Sequence, residues 1–268
     1  MNDNNVITLN TDFEKLKADV EKIRVELSML VLERDNLLFQ ECKNIEMAYM
    51  LAVGGLEYKA YKIECEILRL KRKAELIQAK KNRQEKVILS EIEETLDFEF
   101  AEYEARLNEE LGKMNSALER SKGKLLSEEE TSEMKKLYRG IVKSLHPDLH
   151  PDLSETEIQL FHNAVEAYEN GDLNGLRIIG EMIADSVLPD IKSDGLAFLI
   201  KEKERLIGLL QIMKERISKI KSEYPYTMKA FVQDPKKIEA RKTELRDYIK
   251  ELNETLAAHA AKIAEMMR

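Results

Sequence analysis

The sequence predicts an all-α protein in which long antiparallel coiled-coil helices flank a central helical hairpin. Three observations lead there. Charged residues make up 35% of the 268 positions, with only ten Gly and five Pro, a composition that favours long helices over loops. Aromatics are 6% and Trp is absent, so apolar burial has to come from narrow stripes along helices rather than from one large core. Through most of the chain, apolar residues recur every three or four positions, the spacing of helices that pack lengthwise.

Residues 1–121 read as an N-terminal coiled-coil arm. Its first stripe is Leu16, Val20, Ile23, Leu27 and Leu30, which resumes after a one-residue phase slip at Leu38, Cys42, Ile45 and Tyr49. Gly54-Gly55 then costs a helix roughly 1 kcal/mol per glycine relative to Ala, so a helix end or hairpin is expected there, with a continuous helix as the alternative. Leu56, Ala60, Ile63, Ile67, Leu70 and Ile77 form a second stripe. A break is expected near residues 83–89, after which Ser90 and Glu93 offer a capping box for a helix through Leu96, Leu107, Leu111 and Leu118.

Residues 127–185 change character. Ser127 with Glu130 and Ser154 with Glu157 are capping boxes for two helices, Gly171 stops the second, and Asp172 starts a short third. Pro189 and "DIKSDG" read as a linker. Residues 194–268 carry two further stripes, Leu199 to Ile220 and Ile238 to Met266, separated by Tyr224-Pro225 and Asp234-Pro235. They are expected to pair with each other as an antiparallel helical hairpin.

A net charge of −8 argues against a polyanion-binding role, so nucleic acid is not an expected partner. "MNDNNVITLN" lacks a secretory pattern and no apolar run reaches bilayer length, which points to the cytoplasm and no membrane association. Two cysteines, Cys42 and Cys65, are too few for a disulfide framework or a four-thiolate zinc site, and both are read as reduced. No phosphate loop, nucleophile–base pair or metal set emerges, so no enzyme activity, catalytic residue, metal or cofactor is expected.

The informative stretch is "MKKLYRGIVKSLHPDLHPDL". From Glu133 to Leu145 four basic side chains, Lys135, Lys136, Arg139 and Lys143, stand against one acidic, a local reversal of sign within an acidic protein that suits an acidic partner surface. Pro147 ends the helix and presents Asp148 at its tip. A metal site built from His146, His150, Asp148 and Asp152 conflicts with the two prolines, and a plain proline turn leaves the basic helix unexplained.

The basic "KKLYRGIVKSL", the His146-Pro147-Asp148 tripeptide at its end and the following Phe161 and Ala167-Tyr168 resemble the J domain of DnaJ-type cochaperones over residues 127–170. With flanking coiled coils, the chain is similar to uncharacterised bacterial J-domain-containing proteins. The resemblance implies a cochaperone that stimulates a DnaK-type heat-shock ATPase through His146, Pro147 and Asp148, with Lys135, Lys136, Arg139 and Lys143 docking the basic helix. The coiled-coil arms would bind a client protein or a second copy of the chain. A J domain opens with a short helix that has no counterpart in this sequence, and the helix ending near Leu118 is expected to pack in its place. The alternative is a structural coiled-coil scaffold whose J-like hairpin no longer binds a chaperone.

Overall fold

The computed structural model describes residues 3–122, 126–184 and 196–268, all in helices or short turns, with no strand among them. The protein is all-α. The linker expected at Pro189 and "DIKSDG" lies outside the described residues. Helices α1 (Asp3–Asn36), α2 (Cys42–Tyr49) and α3 (Gly55–Asn82) are separated by π-helical turns at Leu37–Glu41 and Met50–Gly54. They are followed by α4 (Leu89–Glu99), α5 (Ala101–Lys122), α6 (Glu128–Leu145), α7 (Glu155–Asn170), α8 (Leu173–Ala184) and α9 (Leu196–Ser222). A 3-10 turn and the four-residue α10 (Lys229–Val232) lead into α11 (Pro235–Met266).

The chain divides into two compact units. The first combines Met1–Lys43 with Lys124–Thr227. Here α1 lies along α9; α6, α7 and α8 pack together, with α6 against α1 and α7 against the π-helical turn at Leu37–Glu41. Val20, Leu27, Val31, Tyr138, Ile141, Tyr168, Leu206 and Met213 share one buried core. Lys203 reaches Asp19 at 2.6 Å, Lys214 reaches Glu26 at 3.0 Å and Lys221 reaches Glu33 at 2.6 Å. The numbers rise together on both helices, so α1 and α9 run parallel.

The second unit combines Asn44–Gly123 with Met228–Arg268. Arg241 meets Glu57 at 3.2 Å, Tyr248 meets Glu64 at 2.5 Å, and Lys81 reaches the Met266 carbonyl, so α3 and α11 are also parallel. Ala60, Ile63, Ile67 and Ile249 form their shared core. Helix α4 returns antiparallel along α3, pairing Arg69 with Asp97, Arg72 with Glu99 and Lys80 with Glu91. Much of the basic run on α3 is therefore spent on α4 carboxylates.

The expected antiparallel hairpin of residues 194–268 is corrected: α9 takes α1 as its partner and α11 takes α3, both in parallel. An apolar stripe says that a helix packs but not along which helix or in which direction, and the flanking charges differ for each choice. The break expected at Gly54-Gly55 is absent too. Both glycines keep right-handed helical angles (φ −55°, ψ −38° and φ −64°, ψ −33°). A Cβ on Gly54 would lie 3.0 Å from the Met114 methyl of α5 and 2.9 Å from the Met50 sulfur, so a side chain here would have to displace these two methionine ends. The chain does leave the helix between Asn82 and Leu89, but the N-cap of α4 is Ile88, without a side-chain hydrogen bond. Glu93, expected in a capping box, instead bonds Arg69 at 2.7 Å and also Lys73.

Candidate functional site

Helix α6 begins at a complete capping box: Ser127 Oγ accepts from the Glu130 N–H, and the Glu130 carboxylate accepts from the Ser127 N–H. Glu128, Glu129 and Glu130 in its first turn complement the positive end of the helix dipole. The helix ends at His146, whose extended conformation (φ −71°, ψ 125°) is what a following proline imposes. Met134, Tyr138, Ile141, Val142 and Leu145 form the buried face. On the other side Lys135, Lys136, Arg139 and Lys143 are all exposed, spaced as one stripe, and none makes an ion pair with a described residue. By contrast, Lys203, Arg205, Lys214 and Lys221 of α9 each meet a carboxylate.

Helix α7 starts at the Ser154–Glu157 capping box and stops at Gly171, which takes the left-handed conformation at φ 71° that glycine adopts without penalty. Asp172 Oδ1 accepts the Gly175 N–H at 2.9 Å and opens α8. Glu133 on α6 holds Arg177 on α8 through two 2.7 Å bonds. Phe161, Ala164 and Tyr168 of α7 are buried against α6, and the Tyr138 and Tyr168 rings stack 4.1 Å apart at 8°.

Beneath that stack lies a feature with no counterpart in the sequence reading. The Tyr138 hydroxyl donates to the carboxylate of Asp35 at 2.7 Å, and Arg34 holds the other oxygen at 2.6 Å. Asp35 is fully buried, and loss of water pushes its pKa up despite Arg34 and Tyr138. Burial, then the neighbouring Asp35, pushes the Tyr138 hydroxyl up as well, and burial takes Tyr168 up to about 12. Gln40 donates to the Tyr168 carbonyl at 2.7 Å, and Lys43 pairs with Glu169. The helix standing beside α6 is therefore α1 with its π-helical turn, where the helix ending near Leu118 was expected.

The two halves of "HPDLHPDL" are placed differently. His146 is only 5% exposed, its ring edge-on to Phe161 at 5.1 Å. Its Nδ1 accepts the Asp148 N–H at 3.1 Å, which fixes the neutral tautomer with its proton on Nε2. Burial pushes its pKa down to about 4, against the pull of Asp148. The His146 carbonyl accepts from Leu149 at 2.9 Å and from His150 at 3.0 Å, forming the turn. Leu149 is buried, and the His150 ring sits 2.7 Å from the Lys143 carbonyl. Pro151 and Asp152 are exposed.

Asp148 is half-buried, and its backbone is held from both sides, by the His146 ring at N–H and by Arg205 of α9, which donates to its carbonyl at 3.0 Å. Its carboxylate makes no hydrogen bond or ion pair with a described residue. Of the residues read as partner contacts, the four cations are exposed, Pro147 and Asp148 are half-buried, and His146 is inside because its ring serves the turn. Arg205 and Glu202 escaped sequence reasoning, although a glutamate between Leu199 and Leu206 in an apolar stripe was a signal. No three metal-binding side chains cluster among the described residues, and none of their helices is long and apolar enough to cross a membrane. No family model, curated protein or solved structure matches the chain.

Proposed function

We propose that the protein is a J-domain-like cochaperone or adaptor. Its α6–α7 hairpin recruits a DnaK-type heat-shock ATPase, and its coiled-coil arms bind a client or a second copy of the chain. The observation that carries this reading is the juxtaposition of four exposed cations on one helix, without an ion pair to a described residue, and, at its tip, the Asp148 carboxylate, which accepts no hydrogen bond from a described residue. Unpaired cations on a stripe raise encounter rates with an acidic surface, and a carboxylate on a fixed backbone is presented at a reduced ordering cost. His146 acts through the turn rather than by contact: its neutral ring anchors the Asp148 N–H. ATP hydrolysis takes place in the partner, so this chain supplies no catalytic group.

The deciding experiment is single-turnover ATP hydrolysis by a purified DnaK-type ATPase with and without the full-length protein. Stimulation that is lost in Asp148→Asn is the expected result. Equal stimulation by the variant, or none by the wild type, sinks the reading. One observation favours the scaffold alternative: Leu149, next to the tripeptide, is buried, so the loop offers no fifth cation there. Absence of stimulation by a folded protein that captures a coiled-coil partner would leave that alternative standing.

A further inference from the structure

We propose that Arg205 is a positioning residue for the Asp148 loop, which makes the α1–α9 pair part of the docking element rather than a passive arm. The inference rests on the docking role proposed above. All three nitrogens of the Arg205 guanidinium are used. Nε and Nη2 grip the two oxygens of Glu202 at 2.8 and 2.9 Å, while Nη1 donates to the Asp148 carbonyl at 3.0 Å. Glu202 is itself 8% exposed and accepts a further bond from Arg24 of α1 at 3.1 Å.

Loop, α9 and α1 are thus joined by one chain of charge-assisted bonds, Asp148 to Arg205 to Glu202 to Arg24. A planar fork can close on a carboxylate and still reach past it, whereas a lysine ammonium cannot hold the same three acceptors in that geometry. Glu202 remains ionised inside the core because Arg205, and then Arg24, oppose the cost of its burial and keep its pKa low. The His146 ring fixes only the N–H side of the Asp148 residue, and Arg205 supplies the tie on its carbonyl side. Removing Arg205 therefore frees the direction in which the Asp148 carboxylate points, while the four cations of α6 stay where they are.

Those two parts of the site read out separately. The cation stripe governs how much protein is needed for half-maximal ATPase stimulation, and loop geometry governs the stimulation at saturation. In full-length Arg205→Lys and Arg205→Met, saturating stimulation should fall roughly tenfold, with half-maximal concentration changed less than about twofold. Amide hydrogen exchange at Leu149 and His150 should speed up by a similar factor. Lys221→Met, which removes an exposed α9 ion pair with Glu33, is the control and should match the wild type in both readouts. If Arg205→Lys stimulates and exchanges like the wild type, or if Lys221→Met loses as much, the positioning role falls while the docking role stands. If the wild type itself gives no stimulation, both fall.

Discussion

At the residue scale, the most consequential side chain is His146, which looks like a contact in the sequence and is a buried brace in the structure. Its pKa in the fold lies near 4, below the ordinary 6.5, so as pH falls the unfolded chain takes up the proton first. The stabilisation is complete above about pH 6.5 and is lost progressively towards pH 4. Asp35 works in the opposite sense, because its raised pKa lets the folded state bind a proton earlier. Comparison with His146→Asn, which keeps an acceptor for the Asp148 N–H but does not titrate, cancels that contribution. In urea melts the stability of the wild type relative to the variant should fall by roughly 3 kcal/mol between pH 7 and pH 4; parallel pH profiles would refute the assignment. Tyr138→Phe removes a hydroxyl from a buried carboxylate and should cost about 1–3 kcal/mol in the same assay at pH 7. Neither Asp35 nor its tyrosine partner could be paired from sequence, since 103 residues separate them.

At the element scale, α6 was the most legible part of the chain. Its capping box, its apolar face and its proline stop are all local, and a local pattern is decided by neighbours three and four positions away. The same holds for the second capping box at Ser154 and the stop at Gly171. Legibility failed where two helices compete for one signal: Ser90 and Glu93 had the right spacing for a box, but Arg69 and Lys73 on α3 took the glutamate. The one-residue slip between Leu30 and Leu38 does have a structural counterpart, the π-helical turn at Leu37–Glu41, which accommodates one residue more than an α-turn. Because α6 buries one face and leaves its cations without an ion pair to a described residue on the other, replacing Lys135, Lys136, Arg139 and Lys143 by Gln should change the melting free energy by no more than about 0.5 kcal/mol per substitution. On the proposed docking role, the same variant should lose ATPase stimulation, most clearly at low salt where charge attraction is least screened. A melt shifted well beyond that range would show the stripe to be part of the fold.

At the scale of the whole molecule, what the sequence concealed was partnership. Each stripe announces a buried helix, and nothing local says that α9 belongs to α1 or α11 to α3. Zero-length cross-linking between amines and carboxylates tests the parallel register directly. Lys203 should join Asp19 and Lys221 should join Glu33, whereas an antiparallel α1–α9 pair would join Lys221 to Asp19. The separation along the chain within these pairs, 184 residues for Lys203 with Asp19 and 188 for Lys221 with Glu33, has a consequence for how the protein is made. At ribosomal rates of roughly 5–20 residues per second, α1 is complete about ten seconds or more before the matching part of α9 exists. During that interval Leu27 and Val31 lack the α9 side chains that later cover them. The α1–α9 pair can therefore close only after the local contacts of α6 with α7 and α8 have had time to form.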